Sequence, residues 1–145
     1  MILLDTDHLS VLRDSRHERN AHLTSRLLAC GDPAILPTVV TLEEQMRGWL
    51  AEVKRRRQAI DWVAVYAKLT ELVEFYNQWK IVPFDHAAAK IFNDLRASKV
   101  RIGTQDLKIA AIALANNALL LSANLVDFQQ VPGLRVEDWL YGPTE

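Results

Sequence analysis

The chain opens with "MILLDTDHLS" (Met1–Ser10). Four apolar residues run straight into Asp5, and a second acid, Asp7, follows two residues later. Met1 to Leu4 reads as a short buried strand. An acid pressed against such a strand is costly to desolvate unless the charge has a task. Thr6 or Asp7 can cap a helix running to about Arg13. A buried strand passing directly into a helix is the start of a strand–helix unit, and the chain repeats that unit.

Residues 18–29 read as a second helix with Leu23, Leu27 and Leu28 on one face, closed by the turn residues Gly31-Asp32-Pro33. Residues 34–36 read as a strand. A long helix follows Pro37-Thr38, over about 40–58, with the apolar stripe Leu42, Met46, Trp49, Leu50 and Val53. Another over 61–79 is expected to bury Trp62, Val65, Leu69, Leu72, Val73 and Tyr76. A strand at 81–84 follows, and Asp85 caps the helix "HAAAKIFNDLRAS". A helix is expected from Asp106 to Asn116, then strands at 118–121 and 134–136. Strands alternating with helices imply parallel pairing with right-handed crossovers. The expected fold class is therefore α/β: a single three-layer α/β/α sandwich with a short parallel sheet, residues 1–145 forming one domain. No repeat, low-complexity tract or linker divides the chain.

At 145 residues, half hydrophobic and 24% charged, the composition is that of a globular protein able to bury a real core. No apolar run reaches the roughly 18 to 20 residues of a transmembrane helix, so no membrane is expected. The N-terminus has neither a basic n-region nor a small-residue cleavage site. Cys30 alone cannot form an internal disulfide, which suits a reducing cytoplasm. With a formal net charge of −1, any nucleic-acid partner must be met by a local patch.

Ligands of parallel sheets collect at the carboxyl ends of the strands. Asp5 lies there, straight after the first strand, and Asn124 lies there just after "ALLLSA". Asp106 begins the helix leading into that strand, and Glu44 lies early on the helix after the second strand. Three acids and one amide can thus converge on one sheet edge from four separate stretches. The repulsion between such acids is offset by a bound divalent cation. Oxygen ligands without clustered Cys or His point to Mg²⁺ or Mn²⁺ rather than zinc. Such an ion activates water and neutralises charge on a phosphodiester during hydrolysis.

Asp5 could simply be a helix cap, although capping does not explain an acid pressed against a buried strand, and the other residues also have plainer readings. Asp7 reads as a cap or solvated first-turn acid, and His8 as a packing or capping residue. Asp106 at a helix start complements the macrodipole. Glu43 and Glu44 both suit a solvated face. Asn124 alone is a turn residue. Asp94, Asp127 and Asp138 read as surface and turn acids, and "KRRR" (Lys54–Arg57) as a solvated helix end. Trp49, Trp62 and Trp79 read as core or interface. The helices around 40–58 and 61–79 offer more apolar surface than one small sandwich covers, so a symmetric partner is expected.

Four stretches, "LLDTDHLS", "TLEEQMRG", "IGTQDLKIAAIALANNALLLSAN" and "DFQQVPGLRVEDW", resemble the PIN domain, specifically its VapC toxin branch, in the expected order over nearly the whole chain. The resemblance implies a metal-dependent ribonuclease with its acids at the strand edge. Asp5 matches the first-strand acid and Asp106 the acid before "LKIAA". Glu44, four before Gly48, matches the helix glutamate in preference to Glu43. Thr6 and Ser122 match supporting hydroxyls. Asn124 matches a fourth position where many PIN nucleases carry Asp and VapC-like members often carry Asn. Asp5 and Asp106 would then hold Mg²⁺ (or Mn²⁺). Glu44 would position or deprotonate the attacking water, or help hold a second ion, and Asn124 would orient ligands. The resemblance further implies an RNA substrate, a homodimer, and a small antitoxin protein whose tail covers a groove beside the site.

Two other readings compete. A phosphoacceptor receiver domain needs a phosphorylatable Asp after a middle strand and a late Lys, which "AILPT" and "IVPF" do not supply. A catalytically silent PIN-fold scaffold, binding RNA or a partner, is the alternative, and the presence of all three acids argues against it.

Overall fold

The structure, a computed structural model, describes residues 1–142. In chain order the elements are β1 (Ile2–Leu4), α1 (Thr6–Arg13), α2 (Asn20–Ala29), β2 (Ile35–Pro37), α3 (Val39–Arg55), α4 (Ala59–Tyr76), α5 (His86–Ala97), α6 (Thr104–Ala115), β3 (Leu119–Leu121), α7 (Leu125–Phe128) and β4 (Arg135–Glu137). The four strands form one parallel sheet in the order β2-β1-β3-β4. Each strand is three residues long; β1, β2 and β3 are apolar on both faces, whereas the edge strand β4 turns only Val136 inward and exposes Arg135 and Glu137. Leu3 and Leu120 face one core, shared with Val82, Leu95, the apolar face of α6 and Phe128. Ile2, Leu4 and Leu121 face the other, with Leu9, Leu23, Leu27, Leu72, Tyr76 and Trp139. Helices therefore cover both faces, and the architecture is the expected α/β sandwich. No helix is long and apolar enough to cross a membrane among the described residues.

The local signals explain the helix starts. Thr38 Oγ1 accepts the Thr41 amide at 3.2 Å, and Asp85 accepts the Ala88 amide at 2.9 Å, each satisfying an N–H that the helix cannot. Asp5 itself caps α1, accepting the Thr6 amide at 2.8 Å.

Several sequence expectations are corrected. Residues 81–84 form no strand. Val82 makes a single parallel bridge with Thr38, and Pro83, lacking an N–H, cannot extend it. The sheet has four strands as a result. α6 starts at Thr104 with Gly103 as its cap, so Asp106 sits inside the first turn rather than opening the helix. Trp62 and Val73 on α4 and Leu28 on α2 are exposed, not buried. The short helix α7, after β3, was not anticipated.

Candidate active site at the carboxyl edge of the sheet

Residue 5 leaves β1, residue 122 leaves β3, and α3 follows β2, so parallel strands deliver three chain segments to the same edge. The Asp5 amide donates to the Leu121 carbonyl at 2.9 Å, which fixes Asp5 against the end of β3. Asp5 is 8% exposed. One carboxylate oxygen accepts from Thr6 N and the other from Ser122 Oγ at 2.7 Å. Ser122 Oγ in turn accepts the Asn124 amide at 3.0 Å. Ser122 therefore links the first acid to the start of α7, and Asn124 reaches on to the next acid. Its side-chain amide donates to Asp106 at 3.1 Å and to Asp127 at 3.0 Å. Glu44 comes from α3 and accepts from Thr6 Oγ1 at 3.2 Å.

All six residues singled out from the sequence thus belong to one hydrogen-bonded edge, running from Glu44 through Thr6 to Asp5 and on through Ser122 and Asn124 to Asp106. Glu43 does not join them. It accepts from Arg47 and from Gln105, and those partners hold its carboxyl below the ordinary range.

The electrostatics set the three acids apart. Burial, then the charge of Asp7, push Asp5 up to about 6, against the opposing hydrogen bonds from Ser122 and Thr6, with Asp106 adding to the rise. Burial raises Glu44, with Asp106 and Glu43 adding to it. Burial also raises Asp106, with Asp127 and Asp7 adding. Each acid is destabilised as an anion by its own burial and by neighbouring acids, which is the condition a cation relieves.

Among the described residues, no three His, Cys, Asp or Glu side chains already surround a common point as a ligand cage. The donor set still suits Mg²⁺, which keeps several waters and takes only one or two carboxylates from a protein. The candidate ligands are Asp5 and Asp106, with Glu44 beside them.

Two residues read as surface acids are engaged here. Asp127, on α7, shares the Asn124 amide with Asp106. Asp7 accepts the Ala123 amide at 2.8 Å and the His8 ring Nδ1 at 2.6 Å. Burial raises the Asp7 carboxyl, but these bonds outweigh it and lower the group overall. His8 is fully buried, and its Nε2 accepts the Trp139 amide at 3.0 Å, so the ring proton sits on Nδ1 facing Asp7. This network ties α1 to the loop after β3 and to the segment after β4. Its partners are 116 and 131 residues away along the chain, which local sequence pattern cannot reveal.

No protein-family model matches the chain. Over 141 residues, 94% of the chain, it is 26% identical to "Ribonuclease VapC2" of Rickettsia felis and covers 96% of that protein. A shorter match to "Ribonuclease VapC1" of the same organism is 40% identical over 74 residues, 48% of the chain and 55% of the relative. Among solved structures, the chain is similar to VapBC2 of Rickettsia felis bound to a DNA fragment from their promoter, with a TM-score of 0.73 and 24% identity over 96% of this chain and 99% of that one. It is also similar to VapBC-5 of Mycobacterium tuberculosis, a member of the VapBC family of toxin-antitoxin systems. There the TM-score is 0.60 and the identity 26%, over 94% of each chain.

Proposed function

We propose that this chain, VapC-like in sequence and PIN-like in fold, is the ribonuclease toxin of a toxin–antitoxin pair and hydrolyses RNA at the acids gathered on its sheet edge. The observation that carries the reading is the delivery of Asp5, Glu44, Asp106 and Asn124 to one place from four stretches, with all three acids raised by burial and by other acids.

Asp5 and Asp106 would hold Mg²⁺ or Mn²⁺, directly or through waters. The ion, when bound, offsets the carboxylate charges, neutralises the phosphodiester and makes water more acidic. The chain's own groups do the rest. Thr6 N and Ser122 Oγ fix both oxygens of Asp5. Asn124 orients Asp106. Glu44, steadied by Thr6 Oγ1, takes the proton of the attacking water, and its raised pKa makes it a stronger base. As the water oxygen bonds to phosphorus, the bond from phosphorus to one ribose oxygen breaks, and that oxygen takes a proton from solvent. No covalent enzyme intermediate is needed.

The VapBC neighbours support a small antitoxin as the partner, which would cover the site and carry the DNA binding. We assign the whole chain to one nuclease domain, acting as a homodimer in the cytoplasm.

The test is cleavage of a labelled RNA in Mn²⁺ by the wild type, Glu44→Gln and Glu43→Gln. Loss of a positioned general base costs about 10²- to 10⁴-fold, so Glu44→Gln is expected to fall by that much and Glu43→Gln to stay near wild type. Equal losses in both variants would remove Glu44 from its role. A folded wild type that binds RNA without cleaving it would favour the silent scaffold.

A further inference from the structure

α5 and α6 are joined by residues 98–103, a connection that carries Lys99 and Arg101 and leads into the first turn of α6, where Asp106 stands. Arg96, Lys99, Arg101 and Thr104 line a cleft of about 310 Å³ floored by Phe92 and Leu107, and no carboxylate lines it. None of the three cations makes an ion pair among the described residues. The basic run at the end of α3 differs: Arg55 and Arg56 both close onto Glu52, at 2.6 and 3.2 Å. Arg96 lies over the Phe92 ring at 5.5 Å, which holds the guanidinium at the cleft wall.

The backbone supplies a second observation. Lys99 has φ +63°, the left-handed conformation that glycine adopts without strain. It stands where a helix end closes on itself, the Val100 amide donating to the Leu95 carbonyl at 3.3 Å. Glycine is the favoured residue at such a position. A lysine there accepts backbone strain and places a charge over the cleft. Strain kept at one position points to a use for its side chain.

The place of the cleft defines that use. Thr104, on its wall, is the first residue of α6, and Asp106 stands two residues on, in the same turn. Gly103 caps α6 with no side chain, so the first turn of the helix, which begins at Thr104 on the cleft wall, has no capping side-chain oxygen. An RNA strand carries a phosphate at every nucleotide. A strand with one phosphate at Asp5 and Asp106 must lay its neighbours along the adjoining surface, and a positively charged groove beside a reaction site tracks such a backbone.

We propose that the cleft formed by Arg96, Lys99, Arg101 and Thr104 binds an RNA backbone phosphate flanking the one hydrolysed. This inference rests on the ribonuclease reading above. The cations supply charge and donors without reading base sequence. They act on substrate affinity, and the bond-breaking step stays with the acids.

The experiment measures binding of a fluorescein-labelled single-stranded RNA by anisotropy, in EDTA, across a KCl series. The proteins are the wild type, Lys99→Gly, the triple variant Arg96→Gln/Lys99→Gly/Arg101→Gln, and Arg55→Gln/Arg56→Gln as the control. Each phosphate contact adds about 0.7 to the slope of log affinity against log salt for a single strand. The triple variant, which removes the one phosphate contact of the cleft, is therefore expected to lose about 0.7 from the slope and about fivefold in affinity near 0.1 M salt. Lys99→Gly relieves the strained backbone, so its melting temperature is expected to match or exceed the wild type while RNA binding weakens. In Mn²⁺, the triple variant should cleave with a raised KM and a kcat near wild type. Wild-type slope and KM in the triple variant would overturn the inference while leaving the ribonuclease reading intact. A wild type that neither binds nor cleaves RNA would overturn that reading, and the inference with it.

Discussion

At the scale of single residues, Asp5 and Asp7 lie two positions apart and titrate in opposite directions. Asp5 is pushed up from 3.8 to about 6, burial first and Asp7 second. Asp7 is lowered because bonds from His8 and Ala123 outweigh its burial. For Asp5 the folded state holds the proton more tightly than the unfolded state. Its favourable contribution is complete below pH 3.8 and is lost as pH rises through about 6. At about 1.4 kcal/mol per pKa unit, that loss is at most about 3 kcal/mol. In EDTA, Asp5→Asn is therefore expected to melt higher than the wild type at pH 7, with the gap closing toward pH 4. Adding Mg²⁺ at pH 7 should raise the melting temperature of the wild type and leave the variant's much less changed. Thermal melts at the two pH values check this, and a gap that does not change with pH would contradict it. The place of Asp5, buried at the sheet edge, was legible because an acid directly after a buried strand is locally anomalous. Asp7 and His8 looked like ordinary capping residues, since Ala123 and Trp139, which define their task, lie at the other end of the chain.

At the scale of elements, α1, α3 and α6 were legible as helices, because caps and apolar spacing are local signals. The faces of α4 were not. That helix is apolar on nearly every side, so spacing alone cannot say which side the core takes. The structure buries Val65, Leu72 and Tyr76 and ties Tyr76 to Gln45 of α3 by a 2.8 Å hydrogen bond. It leaves Ile60 72%, Val63 65% and Tyr66 51% exposed, and Leu50 on α3 is exposed as well. The 81–84 strand failed for another reason: β-forming side chains are present, but Pro83 withholds the donor a ladder needs. An α3–α4 pair with this much uncovered apolar surface is expected to bury it in a dimer. Light scattering of the purified protein should give twice the chain mass at micromolar concentration, and Val63→Glu with Tyr66→Glu should shift it toward the monomer. A wild-type monomer at high micromolar concentration would end the dimer assignment.

At the scale of the whole molecule, a short sheet of four parallel strands brings distant segments to one edge, and both cores serve to hold that edge fixed. The α/β class and the convergence of Asp5, Glu44, Asp106 and Asn124 followed from strand–helix alternation and from acids at strand ends. The connections between them did not. The Ser122 link between Asp5 and Asn124, the Asn124 amide shared by Asp106 and Asp127, and the cationic cleft at the start of α6 all depend on where α7 and the 98–103 turn sit in space. The central claim is that the gathered carboxylates make this edge a metal-dependent ribonuclease site. Its most direct test is cleavage of total RNA in Mn²⁺ by the wild type and Asp5→Asn, each with and without EDTA. The account predicts cleavage by the wild type, its loss in EDTA, and at least about a 10²-fold loss in Asp5→Asn, which keeps the size of the side chain but not the charge that holds the ion. Equal cleavage by the two proteins, or wild-type cleavage that persists in EDTA, would contradict it.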